Sequence, residues 1–309
     1  MPHFLKAAAF FAAATLTTLC FAQTQYPLTI QDGMGQEITL TSAPKTISSK
    51  TLFTDEILLN LLDASRLSSL TNFASDDNFS NIAEKLPAGV PLLDFNVEAI
   101  IGNYPDIVFA ANWSDAGKVE QLKQAGIQVY LVNTPNTLEG IEAEILKLGM
   151  LLNVAEEAEQ LVAAMHSRLE SYQSKVSIIA KQQWVALDYN SWGTASGVDT
   201  TWNAVLTNAG IINGSAEYEQ GAYGQVPMSK ELIVEIDPDI LFLPGWIYGE
   251  SDAASSFYNQ VANDPALSTV TAIKQGRVYQ IPENLRGTYS QYIVDTIGYV
   301  VESVADAVE

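Results

Sequence analysis

The chain has 309 residues, a net charge of −21, two histidines and one cysteine. So acidic a chain repels phosphate backbones, which argues against a nucleic-acid partner. Two histidines cannot supply a several-histidine zinc or manganese site, and a lone cysteine cannot close a disulfide within the chain.

Lys6 precedes an apolar run from Ala7 to Phe21, and Cys20-Phe21-Ala22 has the small-x-Ala form of a cleavage site. Residues 1–22 therefore read as a secretory signal peptide, too short to anchor permanently in a bilayer. No later stretch reaches the roughly 20 apolar residues that spanning needs. Cleavage after Ala22 would leave 287 residues with net charge −22, no cysteine, and His166 as the single histidine. A soluble periplasmic product is expected. Lipid attachment at Cys20 is the weaker alternative, because the bulky Leu19 stands before that cysteine.

A mature chain of this length suits two domains. Leu28-Thr29-Ile30 and Ile38-Thr39-Leu40, joined through Asp32-Gly33, predict an opening hairpin. Beyond Pro44, helix and strand patterns alternate: helix over 54–62, strand over 107–110, helix over 118–125, strand over 129–132. Such alternation predicts α/β lobes with mostly parallel sheets. From Ala155 to Val176 there is no Gly or Pro, and Ala158, Leu161, Val162, Met165, Leu169, Tyr172 and Val176 keep helical spacing. That spacing predicts an amphipathic helix of about six turns, placed as a strut between lobes. The expected organisation is an N-terminal α/β lobe over 23–153, an interlobe helix over 154–180 and a C-terminal α/β lobe over 181–309. His166 falls at the edge of the strut's apolar stripe and reads as a packed or surface residue, not a catalyst.

Residues 97–113 align with 230–246 at a constant offset of 133. Glu98 meets Glu231, Ile100 meets Ile233, Pro105 meets Pro238, and Asp106 meets Asp239. Ile107 meets Ile240, Phe109 meets Phe242, and Trp113 meets Trp246. Asn96 and Ser229, just ahead of each copy, are both good helix caps. Each copy reads as cap, short helix, Pro-Asp corner, buried strand, then tryptophan. The expected fold is two pseudo-symmetric α/β lobes with mostly parallel sheets, bridged by a single long α-helix.

Ligands of open α/β sheets bind beyond the carboxyl ends of the strands, where Trp113 and Trp246 fall. Tyr189 and Trp192 follow a strand over 184–187, and Tyr248 follows Trp246. Tyr289 and Tyr292 follow the last strand with Arg286, while Phe73 and Phe79 flank Asp76-Asp77. Any one of these aromatics could instead be core. Polar neighbours such as Asn112 and Ser114, or Asn190, Ser191 and Gly193, favour loops. A cleft lined this way suits a large, partly apolar solute. Glu98 and Glu231 gain from the helix dipole in any case. As equivalent carboxylates on two lobes, they also suit docking to a symmetric partner with basic pockets.

Several ordered segments carry a family resemblance: Asp32-Gly33-Met34-Gly35, Thr54-Asp55-Glu56-Ile57-Leu58, Asn96-Val97-Glu98-Ala99-Ile100 and Pro105-Asp106-Ile107-Val108. Val226-Pro227-Met228-Ser229-Lys230-Glu231, Pro238-Asp239-Ile240 and Lys274-Gln275-Gly276-Arg277-Val278-Tyr279 continue it in the second half. From Leu28 to about Val304, the chain resembles the periplasmic binding proteins of ABC importers for ferric siderophores, haem and vitamin B12. These have one long helix between two lobes. The resemblance implies a weakly hinged, monomeric solute receptor without catalytic residues, cofactor or metal ligands. It would hand its cargo to an ABC permease dimer with its ATPase, with Glu98 and Glu231 engaging the two permease subunits. The ligand residues so implied are Thr51, Phe73, Phe79, Trp113, Tyr189, Trp192, Trp246, Tyr248, Arg286 and Tyr289.

Haem-binding relatives usually carry a tyrosine ligand just ahead of the Asn96 segment, where this chain reads Pro91-Leu92-Leu93-Asp94-Phe95. Anionic chelates generally want several arginines, and the mature chain has only Arg66, Arg168, Arg277 and Arg286, the last alone well placed. The expected cargo is therefore a neutral ferric siderophore or a corrinoid. A hydrolase or chelatase using the same cleft, a haem-binding relative, and an adhesin or receptor stand as alternatives. Against an enzyme, Gly193-Thr194-Ala195-Ser196-Gly197 misses the Gly-x-Ser-x-Gly spacing of a nucleophile elbow.

Overall fold

A computed structural model describes residues 24–249 and 251–308. The signal-peptide reading and Cys20 lie outside the described residues. The opening hairpin forms from β1 (Leu28–Gln31), antiparallel to β2 (Glu37–Leu40). Asp32 closes its turn, Oδ1 accepting from the amides of Met34 and Gln36 at 2.8 and 2.9 Å. Gly35 supplies the positive φ that this reversal uses.

The first lobe continues through β3 (Ile47–Ser49), α1 (Leu52–Leu61), β4 (Leu67–Ser69), α2 (Val97–Gly102), β5 (Ile107–Ala111), α3 (Ala116–Gln124), β6 (Gln128–Val132) and α4 (Leu138–Leu151). The strut is α5 (Ala155–Ile179), 25 residues long, inside the expected 154–180 and three residues past Val176, the last of the helically spaced positions. The second lobe starts with β7 (Val185–Asp188), β8 (Thr194–Ser196), α6 (Thr201–Asn208), β9 (Ile212–Asn213) and β10 (Gln225–Pro227). It ends with α7 (Lys230–Ile236), β11 (Ile240–Pro244), α8 (Ala253–Ala262), α9 (Thr271–Lys274), β12 (Val278–Ile281), α10 (Glu283–Arg286) and α11 (Ile293–Ala305).

Each lobe carries a parallel four-stranded sheet, in the orders β4-β3-β5-β6 and β9-β7-β11-β12. These are one topology used twice. In each, the first strand lies inside, the second goes to one side, and the third goes to the other. That reversal opens a crevice at the carboxyl ends of the first and third strands. β8 and β10 form a separate antiparallel pair.

Much of the internal repeat has a visible physical basis. Asn96 Oδ1 accepts from the Ala99 amide at 2.9 Å, and Ser229 Oγ from the Leu232 amide at 3.1 Å, capping α2 and α7 alike. Tyr104 and Asp237, at equivalent positions, end the two helices in the left-handed region, with φ of 51° and 46°. The repeated Pro-Asp corner is a staple. Asp106 Oδ2 accepts from the amides of Lys45 and Thr46, just ahead of β3, and Asp239 Oδ2 from Val185 at the start of β7. The corner is thereby pinned to the neighbouring strand. Every residue of β5 and β11 is buried.

One apolar cluster runs through Leu148 and Leu151 of α4, Val162 and Met165 of α5, and Ile297 and Val301 of α11. Both lobes therefore share the strut's apolar stripe. His166 lies on the strut's surface, its Nε2 2.8 Å from Glu142 Oε1 of α4. α1 begins two residues before the expected start because Thr51 caps it, Oγ1 accepting from the Thr54 amide at 3.0 Å.

Candidate functional site

The residues just past the crevice strands are Lys50 and Thr51 after β3, Asn112 and Trp113 after β5, Tyr189 and Asn190 after β7, and Gly245 and Trp246 after β11. Topology alone thus brings Thr51, Trp113, Tyr189 and Trp246 to the ligand ends of the two sheets. Four rings form a ladder between the lobes. Phe73 meets Phe79 edge-on with centroids 6.1 Å apart, Phe79 meets Trp246 at 4.9 Å, and Trp246 meets Tyr248 at 6.2 Å. The ends of the ladder are open: Phe73 is 61% exposed and Tyr248 89%. Trp113 and Trp192 are 78% and 82% exposed. Exposed rings of this kind are what a candidate ligand cleft would offer.

Three expected ligand residues are committed elsewhere. Thr51 uses its hydroxyl as the cap of α1. Tyr189 packs on Phe257, centroids 5.8 Å apart, against the second lobe's core. Arg286 is already paired twice: Nη1 lies 3.5 Å from Asp188 Oδ2, and Nε donates to Glu283 Oε2 at 3.0 Å. Asp188 also accepts from the Ser196 amide and hydroxyl at 2.6 and 2.7 Å. Burial pushes its carboxyl up, and Arg286 beside it pulls it back down. Tyr289, 40% exposed, follows three residues after Arg286. Of the five tryptophans, Trp184 and Trp202 are core residues of the second lobe rather than cleft residues.

A polar clamp joins the lobes beside the ladder. The buried Glu56 of α1 accepts at Oε1 from the amide and Nδ2 of Asn81, both at 2.9 Å, and at Oε2 from the Ser290 hydroxyl. Its backbone carbonyl accepts from Gln291 Nε2 at 2.8 Å. Asn81 Nδ2 donates to the Asn284 carbonyl at 2.9 Å, and Asn284 Nδ2 donates back to Asn81 Oδ1 at 3.0 Å. Lys85 donates to the Tyr292 hydroxyl at 2.9 Å, and Arg168 of the strut meets Asp295 at 2.6 Å. Burial pushes the Glu56 carboxyl up, while the bonds from Ser290 and Asn81 oppose the shift. A polar cavity of about 630 Å³ opens here, lined in part by Asp77, Asn81, Lys85, Arg168, Asn284 and Asp295. Within it Arg168 pairs with Asp295 and Lys85 bonds Tyr292, and both lobes line it without any of the ladder's rings, so it belongs to the lobe contact.

Sequence reasoning missed this clamp. Its members are isolated polar residues, Glu56 and Ser290 standing 234 positions apart, and no periodicity links them. It also missed a buried pair at the floor of the first crevice. Lys50 Nζ donates to the carbonyls of Leu70 and Leu93 at 3.2 and 3.3 Å, and Asp55 Oδ2 accepts from the amide and hydroxyl of Thr71. Burial pushes Asp55 up to about 7 and Lys50 down to about 8.

Glu98 and Glu231 are exposed second residues of α2 and α7, the equivalent helices of the two lobes. Hydrogen bonds from its own amide and from Ser229 hold the Glu231 carboxyl below the usual range. Among the described residues no group of three or more His, Cys, Asp or Glu is arranged to hold a metal ion, and no helix is long and apolar enough to cross a membrane.

Two α/β lobes on one long helix, with an aromatic cleft between them, define a solute receptor rather than an enzyme. Residues 47–285 match the periplasmic binding protein family, and the chain belongs to it. It is the substrate-binding component of an ABC transporter, a class that acts outside the cytoplasm. It is similar to the uncharacterized ABC transporter substrate-binding lipoprotein YvrC of Bacillus subtilis, 26% identical over 286 residues, covering 90% of this chain and 86% of that one. A cobalamin-binding protein of Halobacterium salinarum is 25% identical over 260 residues, covering 84% of this chain and 69% of the relative. In fold, the chain is similar to a possible iron-binding (periplasmic solute-binding) protein of Staphylococcus epidermidis. The TM-score is 0.70 at 19% identity, over 85% of this chain and 99% of the other.

Proposed function

We propose that the chain captures a bulky, uncharged metal chelate between its lobes and delivers it to a dimeric ABC permease with its ATPase. The cargo class is a neutral ferric siderophore or a corrinoid such as vitamin B12. The observation that carries this reading is the interlobe ladder of Phe73, Phe79, Trp246 and Tyr248, which offers apolar faces from both lobes at once. The double pairing of Arg286 supports an uncharged cargo, and the Halobacterium relative bears the name cobalamin-binding protein. Trp113, Trp192 and Tyr289 complete the binding surface, and Glu98 and Glu231 are the docking carboxylates. The lobes comprise residues 23–153 and 181–309, with 154–180 as the interlobe segment. The mature protein acts as a periplasmic monomer after loss of residues 1–22, with lipidation at Cys20 as the alternative, since the Bacillus relative is named a lipoprotein.

Tryptophan-fluorescence titration with an uncharged ferric tris-hydroxamate, cyanocobalamin, haem and an anionic ferric tris-catecholate tests this. Saturable quenching by an uncharged chelate is expected. Binding of haem or of the catecholate alone, or of none, would overturn it. The intact mass of the exported protein separates cleavage after Ala22 from lipidation.

A further inference from the structure

We propose that Asp188 and Glu283 are specificity-determining residues that close the cleft to anionic chelates, an inference that rests on the cleft reading above. Arg286 stands at the ligand end of the second lobe's sheet. Glu283 and Arg286 are the first and last residues of α10, which Pro282 alone separates from the end of β12, and Asp188 is the last residue of β7. The guanidinium thus lies between two carboxylates, 3.5 Å from one and 3.0 Å from the other. Both oxygens of Asp188 accept from Ser196, the amide at Oδ1 and the hydroxyl at Oδ2, and the Arg286 guanidinium stands 3.5 Å from Oδ2, which suits the ionised form. One positive charge against two negative ones leaves the group net negative.

An anionic ligand could recruit Arg286 only by pulling it off a side chain that is 3% exposed, leaving a buried carboxylate uncompensated. Two other cations of the first lobe are already engaged. Lys50 is held by the carbonyls of Leu70 and Leu93, and Lys85 by the Tyr292 hydroxyl. The aromatic ladder provides affinity for any bulky chelate, and the two acids provide discrimination by repulsion. A merely structural role for the trio, anchoring α10 to β7, would affect all chelates alike.

The readout is the ratio of affinities for an anionic ferric tris-catecholate and an uncharged chelate, either the ferric tris-hydroxamate or cyanocobalamin, by fluorescence titration of the exported protein. Glu283→Gln keeps an acceptor for the Arg286 Nε and removes one charge. It is expected to raise the anion-to-neutral ratio about fivefold or more at low ionic strength, with the gain shrinking as salt is added. Adding Arg286→Gln should cancel the gain, and Glu283→Asp should restore the wild-type ratio. Asp188→Asn is expected to move the ratio the same way and decides the matter if Glu283→Gln does not fold. An unchanged ratio in folded variants overturns the proposal, as does a wild-type protein that prefers the catecholate. A wild-type protein that binds none of the three removes the cleft reading itself, a separate and recognisable failure.

Discussion

Trp113 and Trp246 occupy the same place in two copies of one unit, yet their surroundings differ. Trp246 leans on Phe79 of the other lobe at 4.9 Å, whereas Trp113 is 78% exposed. Trp246→Ala therefore removes both a ligand face and a contact between lobes. It should weaken chelate binding about tenfold or more, and Trp113→Ala by a few-fold. Thermal unfolding checks the assignment: the Tm of Trp113→Ala should match wild type, and a large drop would make Trp113 a core residue. Asp55 is a different kind of residue. Burial raises its pKa to about 7 from an ordinary 3.8, and its Oδ1 has no hydrogen-bond partner among the described residues. A group whose pKa rises on folding lends stability below its unfolded pKa and loses that stability as pH climbs through the folded value. The loss should fall between roughly pH 4 and pH 7. Lys50, lowered to about 8, alters its contribution only above that window, where stability rises with pH. Asp55→Asn keeps an acceptor for Thr71 and abolishes the titration. In urea unfolding, wild type should lose more stability between pH 5 and pH 8 than the variant does, and equal losses would show that Asp55 stays ionised throughout.

At the scale of elements, the strut is held by close approach. A Cβ on Gly149 of α4 would stand 2.4 Å from the Ala158 Cβ, and one on Gly298 of α11 would stand 2.3 Å from the Tyr172 hydroxyl. Gly149→Ala should therefore destabilise by about 1–3 kcal/mol through overpacking. Gly102→Ala in α2, which meets nothing within 4 Å, should instead stabilise by about 0.5–1 kcal/mol. Urea midpoints compare the two directly. The strut and the repeat are legible in the sequence because helical spacing and a constant offset are local patterns. The Pro-Asp identity shows the limit of that legibility. Its recurrence is visible as letters, but the staple to the amides of Lys45, Thr46 and Val185 depends on which strand lies alongside. The same holds for Arg286. Its position after the last strand marks it as a ligand group, while its pairing with Asp188 arises because β7 and β12 flank β11 in one sheet. Loop neighbours singled out the aromatic candidates for the cleft, whereas Tyr189 and Thr51 could not be told from them until Phe257 and the α1 amides were in place.

At the scale of the whole molecule, three connections hold one lobe against the other: the strut with its flanking helices, the Glu56 clamp with the Asn81–Asn284 amide pair, and the Phe79–Trp246 ring contact. The spacing between the amino ends of α2 and α7 is therefore set by the fold and not by the hinge alone. Asn284→Ala breaks the amide pair and, by loosening one of these connections, should shift the chelate Kd in a fluorescence titration. The two carboxylates act in the opposite sense. Exposed ion pairs contribute only about 0–1 kcal/mol each, so on the proposed docking role neither glutamate alone would hold a permease, and docking would need both at the correct separation. Charge reversal would do more than remove a contact, because it would set a cation against the basic pocket that the proposed docking implies. The single variants Glu98→Lys and Glu231→Lys should each reduce uptake in part. The double variant should bring uptake of the bound chelate to background while its fluorescence Kd changes less than about twofold, since both sites lie outside the aromatic ladder. Loss of affinity in the double variant would assign these residues to the cleft, and undiminished uptake would remove them from docking.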